Sequence, residues 1–579
     1  MANSPQTLCA LLEESARRYG DRLAVIDGAL RMSYTELAAQ ARTMTRALMA
    51  AGVQPGDRVA VWLPNTAHWL VAALGADGAG ASLVPVNTRY TGYEALDVLQ
   101  RTGATVMFLP DRFLGLDYLA ALRDAAAARA QPAPPEARAS AAGPVPGLER
   151  LTLAVRVPVG GSDQNTGNGH RPAAACGVVS WSQLLMLAHD TSERSALARA
   201  AQVRGEDIAD IIFTSGTTGV PKGAVSTHRQ TIAVAEAWAD RAQVTDRDVY
   251  MIIAPFFHTF GYKAGWVVAL LRGATILPQL TFDIARVASQ IERERVTILP
   301  GPPTIFSELL AYPRRGEHDL SSLRLAVTGA AMVPVALVER MRSELSFDTI
   351  LTAYGLTEAV VVTMCRPGDD AQTISATSGC AAADFEIRIA GADGRDLGPG
   401  HDGEILLRGP NVMMGYLDDP AATRAAIDPD GWLHTGDVGH LDERGYLTIT
   451  DRLKDMFTVG GFNVYPAEVE NVIMRLSPVA DCAVVGRPGE RLGEAGIAYV
   501  VTRAGQSLSE RDVIAHCRER LANFKVPREV VFVSALPRNA GGKVRKQDLR
   551  ERAADGAGVG ERGPGERGPH QRDSETSVG

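Results

Sequence analysis

The sequence predicts an α/β fold: a large N-terminal domain with mostly parallel sheets covered by helices, plus a small α+β C-terminal domain. Three observations carry this. At 579 residues the chain exceeds what one hydrophobic core serves, so at least two domains are expected. Short continuous Val/Ile/Leu runs alternate with helix-like stretches through most of the chain, the pattern of parallel strands buried on both faces. After Asp451 the texture changes to a compact mixture of helix and strand.

In chain order, the strand runs are RVAVWL from Arg58, SLVP from Ser82, TVMF from Thr105 and MIIA from Met251. TILP follows at Thr275 and again at Thr297, then LAVT from Leu325 and ILTA from Ile350. Two Ala/Pro/Gly-rich stretches, 125–147 and 160–175, hold few large apolar residues and are expected to be flexible surface insertions. In the smaller domain a helix is expected near 467–476, strands near 480–485 and 496–501, and a helix begun by Ser509. On that helix Val513, Ile514, Cys517 and Leu521 share one face. The tail from about Ala553 repeats GERGP, lacks aromatics and is expected to be disordered. The expected domains are therefore 1–451, 452–552 and a tail over 553–579.

Bulk properties exclude several classes. Hydrophobic content of 46% with 22% charged residues is that of a soluble globular protein. A net charge of −8 without a dense basic run argues against nucleic acid as a partner. Glu13 and Glu14 stand where a signal peptide needs an apolar core, and no apolar run reaches the length of a transmembrane segment. Six widely spaced cysteines without a CxxC pair fit a reducing, cytoplasmic setting. Oligomeric state is not written in the sequence.

The most specific segment is FTSGTTGVPKG, Phe213 to Gly223. Its glycines let backbone N–H groups approach an anion, Thr214, Ser215, Thr217 and Thr218 offer hydroxyl donors around Gly216 and Gly219, and Lys222 adds a point charge. The segment is a polyphosphate cradle. It is not the common nucleotide P-loop, because Pro221 precedes the lysine and Gly223 follows it. In open α/β sheets ligands sit beyond the carboxyl ends of strands. Three loops open at such ends here: this one, GAA at Gly329 to Ala331, and YGLTE at Tyr354 to Glu358.

Those motifs continue with HTGD at His434 to Asp437, DRLKDM at Asp451 to Met456, GGFNVYPAEVE at Gly460 to Glu470 and PRNAGGK at Pro537 to Lys543. Together, and in this order, they resemble the AMP-forming adenylating superfamily of acyl-CoA synthetases, peptide-synthetase adenylation domains and luciferases. The resemblance covers about Leu11 to Arg550. It implies ATP, Mg²⁺ and the co-substrate CoA. It also implies that Thr217, Thr218 and Lys222 hold the β- and γ-phosphates, Thr357 the α-phosphate, and Glu358 the metal. Asp437 would accept the ribose hydroxyls, with Arg452 also at the nucleotide. Gly329, Ala330, Ala331 and Tyr354 would form the adenine slot. Lys543 would bridge the substrate carboxylate and the α-phosphate. Lys454 stands in the hinge position, and Gly460, Gly461 and Phe462 would face CoA.

His258, Phe260 and Ala264 in the stretch APFFHTFGYKAG resemble the gate and lining of an acyl pocket, with His258 among the catalytic candidates. Lys263 admits two readings, a partner for an acceptor carboxylate or a solvated helix residue. The stretch most resembles fatty-acyl-CoA-ligase-like enzymes, so the expected activity is an ATP-dependent acid:CoA ligase acting on a small-molecule medium-chain, cyclic or aromatic acid. Two alternatives stay open: another acceptor or acid, as in carrier-protein loading or nitrite activation for attack by an amine, and a non-catalytic nucleotide-binding relative. One departure from the family pattern is SGCAAAD from Ser378, where a Pro-Gly turn is frequent.

Overall fold

The computed structural model describes residues 5–129, 145, 147–159, 177–214, 221–329, 333–382, 384–452, 457–459, 462–464, 466–489, 493–521, 523–539 and 542–554. The chain divides into two units, Met1–Ile449 and Thr450–Gly579. The large one is built on two mixed, mainly parallel sheets, of nine and eight strands among the described residues. In the nine-stranded sheet Val249–Ile252, Thr275–Pro278, Ile298–Pro300, Leu325–Gly329 and Thr349–Tyr354 run parallel, in register Val249↔Thr275 and Thr328↔Thr352. In the eight-stranded sheet Ile208–Thr214 lies parallel to Ser82–Pro85 and antiparallel to Lys222–Thr227.

Continuous apolar strands require cover on both faces, and the core is arranged accordingly. One cluster takes Val59, Leu83, Phe108 and Ile212 from one sheet and Tyr250, Ile276, Leu325 and Leu351 from the other. Between them lie residues of the helices Ala67–Gly78, His228–Arg241 and Val267–Arg272. Ala67–Gly78 is buried nearly all round, as a helix between two sheets must be. The opposite face of the eight-stranded sheet packs Ala60, Trp62, Met107 and Ile211 with the helices Gly92–Thr102 and Tyr118–Arg129. A four-stranded antiparallel sheet, Glu386–Ala390, Gly403–Arg408, Leu433–Leu441 and Leu447–Arg452, has a core of its own.

The small unit is α+β. Val479–Gly489 and Gly493–Thr502 form a long antiparallel pair, and Glu529–Phe532 adds in parallel. Helix Glu510–Arg520 starts at Ser509, whose hydroxyl and the Asp512 carboxylate form a reciprocal capping box. Val513 and Cys517 are buried on it, with Ile514 and Leu521 packed alongside.

Two sequence expectations are corrected. Residues 125–129, expected to open a flexible insertion, are helical instead: helix Tyr118–Arg129 runs through Ala125 and Ala126, both buried, because alanine suits a helix wherever a neighbour covers it. Residues 130–144 and 160–176 lie outside the described residues. Ala553, expected to begin the tail, is instead buried in helix Lys546–Ala554; residues 555–579 lie outside the described set. Among the described residues no helix is long and apolar enough to cross a membrane.

Candidate functional site

Residues 215–220, and with them Ser215, Gly216, Thr217, Thr218 and Gly219, lie outside the described set, but both of their anchors are described. Thr214 ends one strand, Lys222 opens the next, and the two residues are cross-strand partners. The segment thus closes an antiparallel hairpin of the eight-stranded sheet. The Lys222 Nζ lies 5.0 Å from the centroid of the Tyr416 ring. The Tyr416 hydroxyl donates to Glu358 Oε1 at 2.7 Å. Tyr416 is fixed by pairing with Ala224 and by its N–H, which donates to Thr423 Oγ1 at 2.9 Å. Burial first, and then the Glu358 charge, push the Tyr416 pKa far up, so the phenol stays a donor. Tyr416 joins the lysine of one motif to the glutamate of another, and no motif pointed to it; its one signal is an aromatic residue in the otherwise polar-flanked GYLDD.

The Glu358 carbonyl accepts from the Met413 N–H at 2.7 Å, which ties this turn to the segment carrying Tyr416. Thr357 is half-buried in the same turn. Tyr354, at the end of its strand, donates from its hydroxyl to Asp437 Oδ2 at 2.6 Å. Asp437 is 5% exposed, and its N–H donates to Thr435 Oγ1 at 3.0 Å. Gly329 ends the neighbouring strand, where a Cβ would stand 2.7 Å from the Ala353 carbonyl oxygen. At Gly355 a Cβ would come within 1.5 Å of the Val360 carbonyl oxygen, so this turn admits no side chain there. Ala330 and Ala331 lie outside the described residues. The site therefore draws on three sheets, a gathering that strand order alone does not reveal.

His258 caps the short helix Thr259–Gly261, its Nδ1 accepting from the Phe260 N–H at 3.2 Å. The residue is exposed, while desolvation by the surrounding protein lowers the ring's pKa. The Phe260 ring meets Trp238 edge-on at 5.5 Å. Ala264 is packed in the core, its carbonyl accepting from the Tyr250 hydroxyl at 2.7 Å. Lys263 is not a solvated helix residue. It is 1% exposed and its Nζ lies 2.9 Å from Asp210 Oδ1. At the departure SGCAAAD, Gly379 has φ 85° and a Cβ there would meet the Met364 carbonyl carbon at 2.0 Å. The turn is held by the backbone pairing of Ser378 with Leu447, whose carbonyl accepts at 2.7 Å.

In the small unit Lys543 is exposed, in a turn closed by Asn539: the Lys543 N–H donates to Asn539 Oδ1 at 2.9 Å and its carbonyl accepts the Asn539 N–H at 2.8 Å. Gly542, with φ 80°, supplies the left-handed residue this turn needs. Of Arg452 and Phe462 the structure describes the backbone, in Leu447–Arg452 and Phe462–Val464. Lys454, Gly460 and Gly461 lie outside the described residues. Among the described residues no group of three or more His, Cys, Asp or Glu is placed to hold a metal. One carboxylate plus substrate phosphates is the usual arrangement for magnesium, and Glu358 beside Lys222 and Tyr416 fits that pattern.

The AMP-binding enzyme family model matches residues 12–417, and the AMP-binding enzyme C-terminal domain model matches residues 468–543. A ligase from Rhodococcus jostii (strain RHA1), named for 3-[(3aS,4S,7aS)-7a-methyl-1,5-dioxo-octahydro-1H-inden-4-yl]propanoyl:CoA, is 53% identical over 95% of this chain and 99% of its own length. A Mycobacterium tuberculosis ligase of the same name is 51% identical over 95% of this chain and all of its own. Among solved structures, an anthranilate CoA ligase in complex with anthranoyl-AMP superposes with a TM-score of 0.80 at 26% identity, over 96% of this chain and 99% of that one.

Proposed function

This chain belongs to the AMP-binding enzyme family and is an AMP-forming acid:CoA ligase with ATP and CoA as substrates; we propose that its acid is a propanoate carried on a fused, keto-bearing ring system. The observation that carries this reading is the 53% identity, across nearly the whole of both chains, to a ligase named for such an acid. The ATP–pyrophosphate exchange assay over an acid panel, followed by product analysis with CoA, tests it. The bicyclic dioxo-propanoate should be preferred over straight-chain, aryl and amino acids; equal turnover of a medium-chain fatty acid would overturn it.

In the first half-reaction a carboxylate oxygen attacks the α-phosphorus, the bond to the bridging oxygen breaks, and pyrophosphate leaves. Charge must be neutralised on both sides of that phosphorus. Lys222, with the threonines of 215–220, holds the leaving phosphates, and Thr357 orients the α-phosphate. Glu358 holds Mg²⁺, which supplies charge neutralisation when bound. Tyr416 fixes the Glu358 carboxylate through its 2.7 Å hydrogen bond. Asp437 takes the ribose hydroxyls and Tyr354 borders the base; their mutual hydrogen bond sets both orientations. Lys543 supplies the charge between the carboxylate and the α-phosphate. In the second half-reaction the CoA sulfur attacks the acyl carbonyl and AMP departs with the former carboxylate oxygen. Lys454 serves as hinge for that step, with Gly460, Gly461 and Phe462 facing CoA, and His258 and Phe260 border the acid.

A further inference from the structure

Between the two sheets of the large unit lies a set of wholly buried polar side chains that no step of either half-reaction employs: Asp77, Asp210, Thr231, Tyr262 and Lys263. The Lys263–Asp210 pair, at 2.9 Å, is 1% and 0% exposed. Thr231 of helix His228–Arg241 donates to Asp210 Oδ2 at 3.1 Å. The Tyr262 hydroxyl approaches the same carboxylate without reaching hydrogen-bond geometry. Neither Asp77 oxygen has a hydrogen-bond partner, and burial, reinforced by the Asp210 charge, pushes its pKa well above the carboxylate range.

An ion pair withdrawn from water is a weak source of stability, because desolvation offsets most of its attraction. Its value here is positional. Lys263 sits in a π-helical turn, Tyr262–Trp266, a rare geometry that recurs at functional sites. The turn directly follows His258 and Phe260 and has no slack. A Cβ on Gly261 would stand 2.3 Å from the Pro255 carbonyl oxygen, and one on Gly265 3.1 Å from that of Phe260. Asp210 lies in Ile208–Thr214, the strand that delivers the chain to residues 215–220. A single buried contact thus ties the segment beside the acid to the strand beneath the phosphates.

We propose that Lys263 is a positioning residue whose pairing with Asp210 holds the 258–266 segment in register with the phosphate-loop strand, so that the acid carboxylate meets the α-phosphate in line. It touches no substrate. The inference rests on the assignment of His258 and Phe260 to the acid site. Misplacement of reacting groups by about 1 Å costs on the order of a hundredfold in rate, so a modest slip of this segment is readable in turnover.

The test is a charge-pair cycle in the full-length enzyme, read by acid-dependent pyrophosphate release per folded protein. Lys263→Met is expected to lower kcat by about tenfold or more while KM for ATP stays within about twofold. Asp210→Asn should do the same. The double variant, which removes both charges with little change in shape, should recover kcat to within about threefold. If Lys263→Met does not fold, Asp210→Asn against the double variant carries the same comparison. Absence of recovery in the double variant overturns the proposal. So does a loss confined to KM for the acid, which would mean direct contact, or a lowered Tm with kcat intact, which would mean a purely structural pair. Phe260→Ala in the same assay reads the acid-site assignment separately: unchanged acid selectivity there refutes that assignment, while the cycle still reads the coupling through kcat.

Discussion

Replacing Tyr416 by phenylalanine isolates one hydrogen bond at the centre of the site. The ring persists, so the Lys222 ammonium keeps its aromatic neighbour at 5.0 Å, and only the donor to Glu358 Oε1 at 2.7 Å is lost. Hydrogen bonds to charged groups contribute about 1.5–3 kcal/mol. Both partners are only half-buried, so water replaces part of the loss and the lower bound applies. A loss of about 1.5 kcal/mol converts to roughly tenfold at 1.36 kcal/mol per decade. With Glu358 in its proposed role at the phosphates, the tenfold should appear in kcat/KM for ATP and in a higher Mg²⁺ midpoint, with KM for the acid unchanged. Acid-dependent pyrophosphate release titrated with Mg²⁺ at fixed ATP measures it. Tyr416→Leu, which also removes the ring, should lose a further ~0.5–1 kcal/mol from the Lys222 contact. Tyr416→Phe with an unaltered Mg²⁺ midpoint and ATP dependence would refute the claim that the phenol orients the carboxylate.

Three further outcomes are expected. Lys543→Ala should lower acid-dependent pyrophosphate release by about a hundred- to a thousandfold, the usual loss for a donor aimed at developing charge; unchanged release refutes its role. Lys454→Pro should spare adenylate formation more than thioester formation, and equal losses in separate single-turnover assays would count against the hinge. His228, 1% exposed, has its pKa lowered by burial to about 4 from the ordinary 6.5, so the unfolded chain binds its proton first as pH falls. Its contribution is complete above pH 6.5, shrinks between there and about 4, and amounts to about 3 kcal/mol at most. His228→Asn, which keeps an acceptor for the Leu8 N–H, should flatten the Tm decline across that window; an unchanged slope in thermal melts would assign the decline to other groups.

The family and most elements of the fold are legible in the sequence because their signals are local. The run LAVT from Leu325 becomes Leu325–Gly329, TILP becomes Thr275–Pro278, and Ser509 starts its helix through a box closed three residues on. A phosphate loop announces itself for the same reason, since its glycines, hydroxyls and lysine must be contiguous to surround one ligand. The pairings that assemble the candidate site have no local signature. Tyr416 and Glu358 are 58 residues apart, and Tyr354 and Asp437 83 apart; each pair is joined only when separate sheets assemble. Lys263 is the sharpest case. Its neighbours in sequence permit a solvated cation, yet its π-helical turn buries it against Asp210 on a strand of the eight-stranded sheet. Periodicity fixes which face of an element is apolar, but the partner that neutralises a buried charge is chosen by tertiary packing, because only there does the loss of water make pairing obligatory.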